Sequence, residues 1–218
     1  MKVLNLFDDG LKWSPARPLK VLVACEYSGA VRDAFLALGH DAVSCDILPT
    51  ESPGPHLQCD VLEVLDRGFD LMVAHPPCTF LCSSGLHWNK KRPERAAKTQ
   101  AAVEFVLALW RAPIERIVIE NPVGCLPHYI GKAAQWVQPH EFGHDASKKT
   151  GLWLKGLEPL APTELVAGRL VNGRERWSNQ TDSGQNKLSP SPDRWKLRST
   201  TYSGIAKAMA EQWGGQCL

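Results

Sequence analysis

Short apolar runs alternate with stretches of helical periodicity along residues 19–120, and this alternation most constrains the fold. The apolar runs that predict buried strands cover residues 19–25, 41–46, 71–74 and 116–120. Helical patterns lie between them at residues 29–38 and 93–110. Strands that alternate with helices form a parallel sheet covered on both faces. The sequence therefore predicts an α/β fold built on a doubly wound, mostly parallel sheet.

The two long helical patterns carry their own boundary signals. Gly39 directly follows residues 29–38, and glycine is a common helix stop. Pro93 stands in the first turn of residues 93–110, where a missing N–H costs nothing. Apolar positions at four-residue spacing along this second stretch are Ala97, Ala101, Phe105 and Leu109. We therefore expect helices over both stretches.

Weaker signals predict the remaining elements. Residues 61–65 suggest a short helix, residues 151–157 a strand with alternating polarity, and residues 204–213 a closing amphipathic helix. Loops are predicted where Pro, Ser and Gly accumulate, at residues 48–56 and 75–91. Residues 159–201 are polar, and we expect a long loop or a small irregular insert there.

The composition is that of an ordinary globular protein. The chain has 218 residues, 25 Lys+Arg against 23 Asp+Glu, and a formal net charge of +2. That charge is too small to indicate a nucleic-acid partner unless basic residues cluster on one face. The apolar run at residues 103–110 is far shorter than the roughly 18 residues of a transmembrane helix. Residues 1–20 lack the apolar centre of a signal peptide, so we expect a cytoplasmic location, in the host if the protein is phage-encoded.

The cysteines predict reduced thiols with one exception. None of the seven cysteines forms a CxxC pair, which argues against a zinc ribbon or a thioredoxin-like site, and we predict no metal site. Without a secretory signal the thiols are expected to stay reduced. Free cysteines are usually buried as small hydrophobic side chains, and we expect this for all but Cys78.

Chemically distinctive residues follow the predicted strands, at the edge where open parallel sheets bind ligands. Residues 25–29 (CEYSG) lead from the first strand directly into a helix, whose N-terminus offers unpaired N–H groups. This loop lacks the GxGxxG pattern, which disfavours a dinucleotide-binding site. Asp46 ends the second strand, where a carboxylate could accept both hydroxyls of a ribose or could cap a turn.

The ends of the third and fourth strands predict a reactive pair. Pro76 and Pro77 fix the backbone just before Cys78, so a thiol there suits nucleophilic attack if its pKa is lowered or a partner removes its proton. Glu120 ends the neighbouring strand and is expected to lie close to Cys78. Burial that raises the pKa of Glu120 would let it protonate or hydrogen-bond a ring under attack. For each residue considered by itself, a structural role in a turn stays open.

These residues resemble the cytosine-C5 DNA methyltransferase family. The likeness rests on Cys-Glu-Tyr-Ser-Gly at 25–29, Pro-Pro-Cys at 76–78 and Glu-Asn-Pro at 120–122, in this order. It covers residues 20–155 and the last helix, and it implies the Rossmann-like fold of S-adenosylmethionine-dependent methyltransferases. In that family the cysteine attacks C6 of cytosine, so that C5 accepts the methyl group. The resemblance therefore implies that Cys78 is the nucleophile and that Glu120 contacts N3 and the exocyclic amine.

The same resemblance implies an S-adenosylmethionine site, with S-adenosylhomocysteine as the product. The implied cofactor-binding residues are Glu26, Tyr27, Ser28, Gly29, Asp46, Ile47, Asp60, Pro76 and Ser203. The loop at residues 26–29 would face the methionine and ribose of the cofactor. Asp46 would hold the ribose hydroxyls and Asp60 the adenine amino group, while Ser203 would help to close the site.

DNA is the implied substrate and partner. The loop after Cys78 corresponds to one that closes over a base flipped out of the duplex. The candidate nucleic-acid-binding residues are Ser83, Ser84, His87, Trp88, Lys90, Lys91, Arg92, Arg174, Arg176 and Arg198. A solvated basic loop is the alternative interpretation of residues 83–92. No membrane partner is implied, and the oligomeric state stays open.

Three departures from the family pattern bear on the substrate. Residues 147–151 (SKKTG) stand where the family has Gln-x-Arg-x-Arg, so Lys148 is the candidate catalytic cation near O2 of the base, without the arginine fork. The first loop has one glycine, Gly29, instead of a run. The stretch left for target recognition, residues 156–201, is short and is similar to that of compact phage-type members of the family.

The predicted organisation has three parts. These are a catalytic and cofactor-binding domain at residues 1–155, a small irregular recognition-like insert at 156–200, and a returning C-terminal helix at 201–218. The leading hypothesis is a DNA cytosine-C5 methyltransferase that acts through a covalent Cys78 adduct. A C5-modifying enzyme acting on a free pyrimidine nucleotide or RNA stays open, as does an inactive nucleic-acid-binding relative. The presence of both Cys78 and Glu120 argues against the inactive relative.

Overall fold

A seven-stranded sheet forms the centre of the protein. The computed structural model describes residues 17–192 and 194–215. The strands are β1 (Lys20–Ala24), β2 (Asp41–Asp46), β3 (His56–Gln58), β4 (Leu71–Ala74), β5 (Arg116–Asn121), β6 (Gln135–Val137), β7 (Thr150–Lys155), β8 (Arg169–Val171) and β9 (Arg174–Arg176). The helices are α1 (Ala30–Ala37), α2 (Ser83–Leu86), α3 (Pro93–Trp110), α4 (Pro127–Ile130), α5 (Arg194–Ser199) and α6 (Ser203–Gly214). Cys217, the outer ends of the predicted domains and most of the segment considered for a signal peptide lie outside the described residues.

The strand order is β3-β2-β1-β4-β5-β7-β6. The first five strands in this order pair in parallel, whereas β7 runs antiparallel to both β5 and β6. The chain first moves outward from β1 to β2 and β3, and then returns to the other side of β1 as β4. Ligands of open α/β sheets bind beyond the carboxyl ends of the strands at such a reversal. The predicted doubly wound, mostly parallel sheet of Rossmann-like type is confirmed.

Helices cover both faces of the sheet, and each face has its own core. Successive side chains of a strand point to opposite faces, so Val21 and Val23 of β1 pack under α1 and α6. Leu22 and Ala24 of the same strand pack under α3. Trp213 of α6 is fully buried in the first of these cores. None of the helices in the described part is long and apolar enough to cross a membrane.

The helix α3 has the predicted bounds but a different buried face. Its buried residues are Thr99, Val103, Val106 and Leu109. Ala97 and Ala101 are exposed, and Phe105 is half-buried. A strict repeat of four drifts around a helix that has 3.6 residues per turn, so the buried stripe combines steps of four and three.

Short elements at the edges of the sheet escaped the sequence analysis. β3 and β6 have three residues each, too few for a periodic pattern to register. The predicted loop at residues 48–56 therefore ends within β3. The strand predicted at residues 151–157 is present as β7, and the short helix predicted at 61–65 is a 3-10 turn at Val61–Glu63.

The loop predicted at residues 75–91 is folded into consecutive helical turns, which corrects that prediction. A 3-10 turn at Cys78–Phe80, the helix α2 and a second 3-10 turn at His87–Lys90 follow one another. Side chains of α3 anchor these turns through hydrogen bonds. Arg95 donates to the carbonyls of Gly85 at 3.0 Å and Thr79 at 3.1 Å. These bonds replace the solvent that would otherwise hydrate a loose loop.

The polar segment at residues 159–201 contains a hairpin and a helix. β8 and β9 pair antiparallel around Asn172 and Gly173, which have φ angles of 50° and 73°. Asn-Gly is the preferred pair for such a two-residue turn, so the dipeptide was an available signal. The prediction of an irregular insert is corrected to that extent.

Candidate active site

The ends of β4 and β5 bring the predicted reactive pair together. The two strands are parallel neighbours, and their register places His75 beside Glu120, one step beyond the last paired residues of β4. Asn121 donates from Nδ2 to the carbonyl oxygen of Pro76 at 2.8 Å, which ties the two strand ends to each other. Cys78 begins the turn that follows and lies close enough to Glu120 for the carboxylate to affect the thiol.

Glu120 is a carboxylate in this environment. His75 Nδ1 lies 3.1 Å from Glu120 Oε2, and Lys148 and Thr150 approach from the side of β7. Burial raises the pKa of Glu120, but the hydrogen bond from His75 and the charge of Lys148 outweigh it, so the pKa lies below its usual value. The raised pKa expected from burial is therefore wrong, because burial comes with partners that favour the anion.

Cys78 is a protonated thiol at rest. Burial raises its pKa, and the neighbouring Cys82 thiol and the Glu120 carboxylate raise it further. Arg198 of α5 acts in the opposite direction but does not reverse the shift. Of the two routes to a nucleophile that the sequence left open, a lowered pKa is excluded for this state. Attack requires that the proton leaves when a substrate arrives.

A small cavity adjoins Glu120. Lys148 and Thr150 line it on one side, and Thr201 and Tyr202, just before α6, line it on the other. Its volume is about 10 Å³, which is roughly the space that one water molecule needs.

In the loop predicted to bind the cofactor, the Glu26 side chain caps the N-terminus of α1. Glu26 is 4% exposed and accepts hydrogen bonds from the N–H groups of Val31 at 2.7 Å and Arg32 at 3.2 Å. Ser28 in turn lies 3.4 Å from Glu26 Oε1. Gly29 has a φ of 78°, and a Cβ there would stand 2.4 Å from a guanidinium nitrogen of Arg32. The Glu26 carboxylate therefore caps the start of α1, and its predicted contact with a cofactor stays a prediction.

Tyr27, a further predicted cofactor contact, is covered by α5. Its hydroxyl lies 2.8 Å from Ser199 Oγ and donates to the carbonyl of Lys196 at 3.3 Å. Its ring centre is 5.7 Å from that of Trp195. Lys196 also forms an ion pair with Glu51 at 2.8 Å. The polar insert thus returns across the loop after β1, a contact that its composition did not predict.

Two carboxylates stand at or just after the ends of β2 and β3, which lie on the other side of β1 from β4 and β5. Asp46 Oδ1 accepts the N–H of Leu48 at 2.9 Å, and Asp60 Oδ1 accepts the N–H of Leu62 at 3.0 Å. In both residues Oδ2 makes no hydrogen bond to the described part of the chain, so it can accept one from a ligand. Ile47 is 74% exposed beside Asp46. These three residues keep side-chain groups that a nucleoside could use.

The remaining predicted cofactor residues differ in position. Ser203 is exposed at the start of α6, with Oγ 3.4 Å from His144 Nε2. Pro76 is buried, and its carbonyl is taken by Asn121. The structure therefore leaves Ser203 accessible and gives Pro76 a role in joining β4 to β5.

Comparisons with known proteins identify no family. No family model and no curated protein matches the sequence. Among the solved structures that match is a crystal structure of an E. coli protein encoded within a prophage and provisionally described as a DNA modification methyltransferase. The likeness has 13% identity and a TM-score of 0.43, and it covers 68% of this chain and 52% of that chain. This chain thus spans about half the length of that neighbour.

The predicted nucleic-acid-binding residues after Cys78 lie at the surface. The exposed members are Ser83, Ser84, His87, Trp88, Lys90, Lys91 and Arg92. The guanidinium of Arg92 lies 4.8 Å from the ring centre of Trp88, and the ammonium of Lys91 lies 5.8 Å from it. An exposed indole flanked by cations is therefore presented by the helical turns that follow Cys78 in the chain.

The predicted arginines of the insert divide into two groups. Arg174 and Arg198 are exposed, and Arg198 lies near Cys78. Arg176 is half-buried and donates to the carbonyls of Asp182 at 3.1 Å and Glu175 at 2.8 Å. Its guanidinium holds the insert together, and its predicted contact with nucleic acid stays a prediction.

The six cysteines within the described residues are free thiols. Cys45 is buried and its Sγ lies 3.8 Å from that of half-buried Cys59. The expectation of buried thiols holds for Cys45 and Cys125, whereas Cys25, Cys59 and Cys82 are only half-buried. Within residues 17–192 and 194–215, no group of three or more His, Cys, Asp or Glu is arranged to hold a metal ion.

Two buried polar side chains that the sequence analysis passed over support the site. His75 pairs with Glu120, and its place directly after a buried strand was an available signal. Arg32 is fully buried and donates to the carbonyls of Ser52 at 3.1 Å and Pro53 at 3.3 Å. No sequence signal marked Arg32, because an arginine on a short surface helix is usually exposed.

Proposed function

We propose that the protein is a DNA cytosine-C5 methyltransferase that uses S-adenosylmethionine and acts through a covalent adduct of Cys78. The observation that carries the proposal is the convergence of Cys78, Glu120 and Lys148 beyond the carboxyl ends of β4 and β5. Attack on a cytosine requires a nucleophile for C6, a group that holds the N3 and amine edge, and a positive charge for O2. The three side chains supply these functions in one place.

Each group has a distinct task in the proposed reaction. Cys78 gives its proton to water, and its Sγ forms a bond to C6 while the electron pair of the C5–C6 double bond moves to C5. The Glu120 carboxylate accepts a hydrogen bond from the exocyclic amine and favours a proton on N3, which makes C6 more electrophilic. Lys148 stabilises negative charge at O2. After C5 has taken the methyl group, the C5 proton leaves and the bond between Sγ and C6 breaks.

The residues at or just after the ends of β2 and β3 fit the nucleoside part of the cofactor. Asp46 and Asp60 each keep Oδ2 for a ligand, and Ile47 exposes an apolar side chain beside them. A ribose and an adenine offer hydroxyl and amino donors and an apolar ring, which match these groups. S-adenosylmethionine would supply an activated methyl group on a sulfonium. Because Glu26 and Tyr27 have other partners, the backbone of the first loop would face the methionine part.

DNA as the substrate is supported by exposed side chains in the helical turns that follow Cys78 in the chain. Trp88 is exposed between Lys91 and Arg92, so its ring can stack on a base or fill the gap that a flipped base leaves. The cations around it suit phosphate contacts, which position a duplex without reading its sequence.

The experiment that tests the proposal is incubation with S-adenosylmethionine labelled in its methyl group. Duplex DNA, RNA and dCMP are supplied separately, and we expect label in cytosine of DNA. Cys78→Ala should lose transfer by at least about 10³-fold while it still binds the cofactor. Cys82→Ala removes the thiol four residues away and should keep transfer within a few-fold. Transfer by Cys78→Ala at the wild-type rate would contradict the covalent mechanism.

A C5-modifying enzyme for a free pyrimidine nucleotide or RNA is the second candidate. It is favoured by the arginines of the insert, since Arg169 and Arg176 bind carbonyls of the insert itself. Fewer cations then remain in that segment to grip a duplex. Label that enters only dCMP or RNA in the same incubation would favour this candidate. No label in any substrate would favour an inactive nucleic-acid-binding relative.

A further inference from the structure

His75 lies between the ends of three strands of the sheet. It follows β4, its backbone N–H donates to the carbonyl of Ala24 at the end of β1 at 2.9 Å, and its Nδ1 lies 3.1 Å from Glu120 Oε2 at the end of β5. The side chains of His75 and Glu120 are only 9% and 16% exposed. Removing a carboxylate and an imidazole from water is costly, so this placement needs a reason beyond packing.

The hydrogen bond fixes the tautomer of the imidazole. An ionised Glu120 can only accept, so His75 Nδ1 carries a proton and donates it to Oε2. Nε2 is buried and has no hydrogen-bond partner among the described residues. Buried polar atoms of a purely structural side chain are normally satisfied. Among the described residues, the His75 ring therefore makes one hydrogen bond, the one that Nδ1 donates to Glu120.

We propose that His75 is a positioning residue, whose Nδ1–H anchors one oxygen of the Glu120 carboxylate and leaves Oε1 to meet the base. The inference rests on the proposed cytosine chemistry, because Oε1 is the oxygen that would contact N3 and the amine. A donor behind a functional carboxylate orients it in the way that outer partners orient metal ligands. The other groups that face Glu120 are Lys148 and Thr150 from the side of β7, Cys78 after β4, and Tyr202 across the small cavity.

The first test needs no substrate and is therefore independent of the proposed function. His75→Leu keeps a similar volume and removes the donor, whereas His75→Asn can place its amide nitrogen where Nδ1 was. Infrared difference spectra across a pH series report the carboxylic acid band of Glu120, which is identified by its loss in Glu120→Gln. We expect the apparent pKa of Glu120 to rise by about one unit or more in His75→Leu and to return toward the wild-type value in His75→Asn. An unchanged Glu120 titration in His75→Leu would overturn the inference.

The second test measures methyl transfer by the same variants. We expect kcat in His75→Leu to fall by about 10-fold or more with little change in KM, and to recover in part in His75→Asn. His40→Leu removes another buried imidazole, remote from the site, and should leave kcat and KM for methyl transfer unchanged. Equal impairment of His75→Leu and His75→Asn would overturn a positioning role.

Two controls keep the outcomes separable. If His75→Leu does not fold, His75→Gln replaces it, since its amide reaches the position of Nε2 and not that of Nδ1. A wild-type protein that methylates no cytosine would overturn the proposed function, while the infrared titration would still decide whether His75 holds Glu120.

Discussion

At the scale of single residues, the guanidinium of Arg32 joins the start of α1 to the loop after β2. It is fully buried and donates to the carbonyls of Ser52 and Pro53. The space it occupies depends on Gly29 and Gly54, where an added Cβ would come within 2.4 Å and 2.8 Å of the guanidinium. This side chain therefore shapes one wall of the cleft that would hold the cofactor.

We predict that Arg32→Lys lowers the free energy of unfolding by about 2–4 kcal/mol. An ammonium group cannot reproduce the planar fork, so buried carbonyls lose their donors. Arg111→Lys, an exposed change just after α3, should alter it by less than about 0.5 kcal/mol. Denaturant titrations measure both variants, and equal stability of Arg32→Lys and the wild type would contradict the role given to the fork.

Lys148 carries a prediction of its own. Its charge helps to keep Glu120 ionised, and its Nζ lies 3.4 Å from the carbonyl of Thr200. We predict that Lys148→Gln lowers kcat for methyl transfer by about 10–100-fold, because the positive charge near O2 of the base is lost. Lys149→Gln is the matched control, since that ammonium lies over the ring of Trp136 and not in the site. A steady-state comparison in which both variants behave alike would contradict this role.

The proximity of Cys78 and Glu120 was predictable from the sequence, but the directions of their pKa shifts were not. Strand-end positions and the Pro-Pro-Cys and Glu-Asn-Pro motifs predicted that Cys78 and Glu120 would meet. The direction of the pKa shift follows from burial at Cys78, and at Glu120 from the hydrogen bond with His75 and the charge of Lys148. Arg198 acts on Cys78 from the insert, and His75 acts on Glu120 from the adjacent strand end.

At the scale of elements, α5 shows where periodicity stops being informative. The helices α1, α3 and α6 have apolar patterns, so the sequence predicted them nearly to their ends. α5 has six residues and no buried side chain, and its attachment depends on polar contacts with Tyr27 and Glu51. Such contacts leave no hydrophobic pattern to read.

We predict that Tyr27→Phe loosens α5 without unfolding the sheet. The change removes the hydroxyl contacts with Ser199 and with the carbonyl of Lys196. One or two hydrogen bonds correspond to about a 10-fold faster exchange of the amides in α5. Hydrogen exchange followed by mass spectrometry measures this, with Tyr129→Phe on the exposed side of α4 as the control. Unchanged exchange in Tyr27→Phe would show that α5 is held by other contacts.

At the scale of the whole molecule, His40 makes the stability depend on pH. Burial lowers the pKa of His40, and the charge of Arg116 lowers it further. Its Nδ1 accepts the N–H of Leu19 at 3.3 Å, a bond that protonation at Nδ1 would abolish. The folded state thus binds this proton less readily than the unfolded chain. The contribution of His40 is complete above about pH 6.5 and is lost as pH falls through the lowered pKa.

The corresponding prediction concerns the melting temperature between pH 7 and pH 5. We expect a fall of about 2–4 °C in this interval, which is the shift that 1 kcal/mol causes in a chain of this size. His40→Asn keeps an acceptor for Leu19 and should flatten the dependence. His128→Asn, an exposed change on α4, should not. If the melting temperature of His40→Asn fell with pH as steeply as that of the wild type, His40 would not be the cause of the pH dependence.

The most direct test of the central claim, that Cys78 attacks C6 of a cytosine, is capture on a duplex that contains 5-fluorocytosine. Fluorine cannot leave C5 as a proton does, so the bond between Sγ and C6 persists after methyl transfer. We predict a complex that resists denaturation, that requires S-adenosylmethionine, and in which peptide mapping places the DNA on Cys78. Cys78→Ala should give no complex, and Cys82→Ala should give one. Attachment at Cys82, or no complex from a wild-type protein that binds both the cofactor and the duplex, would contradict the claim.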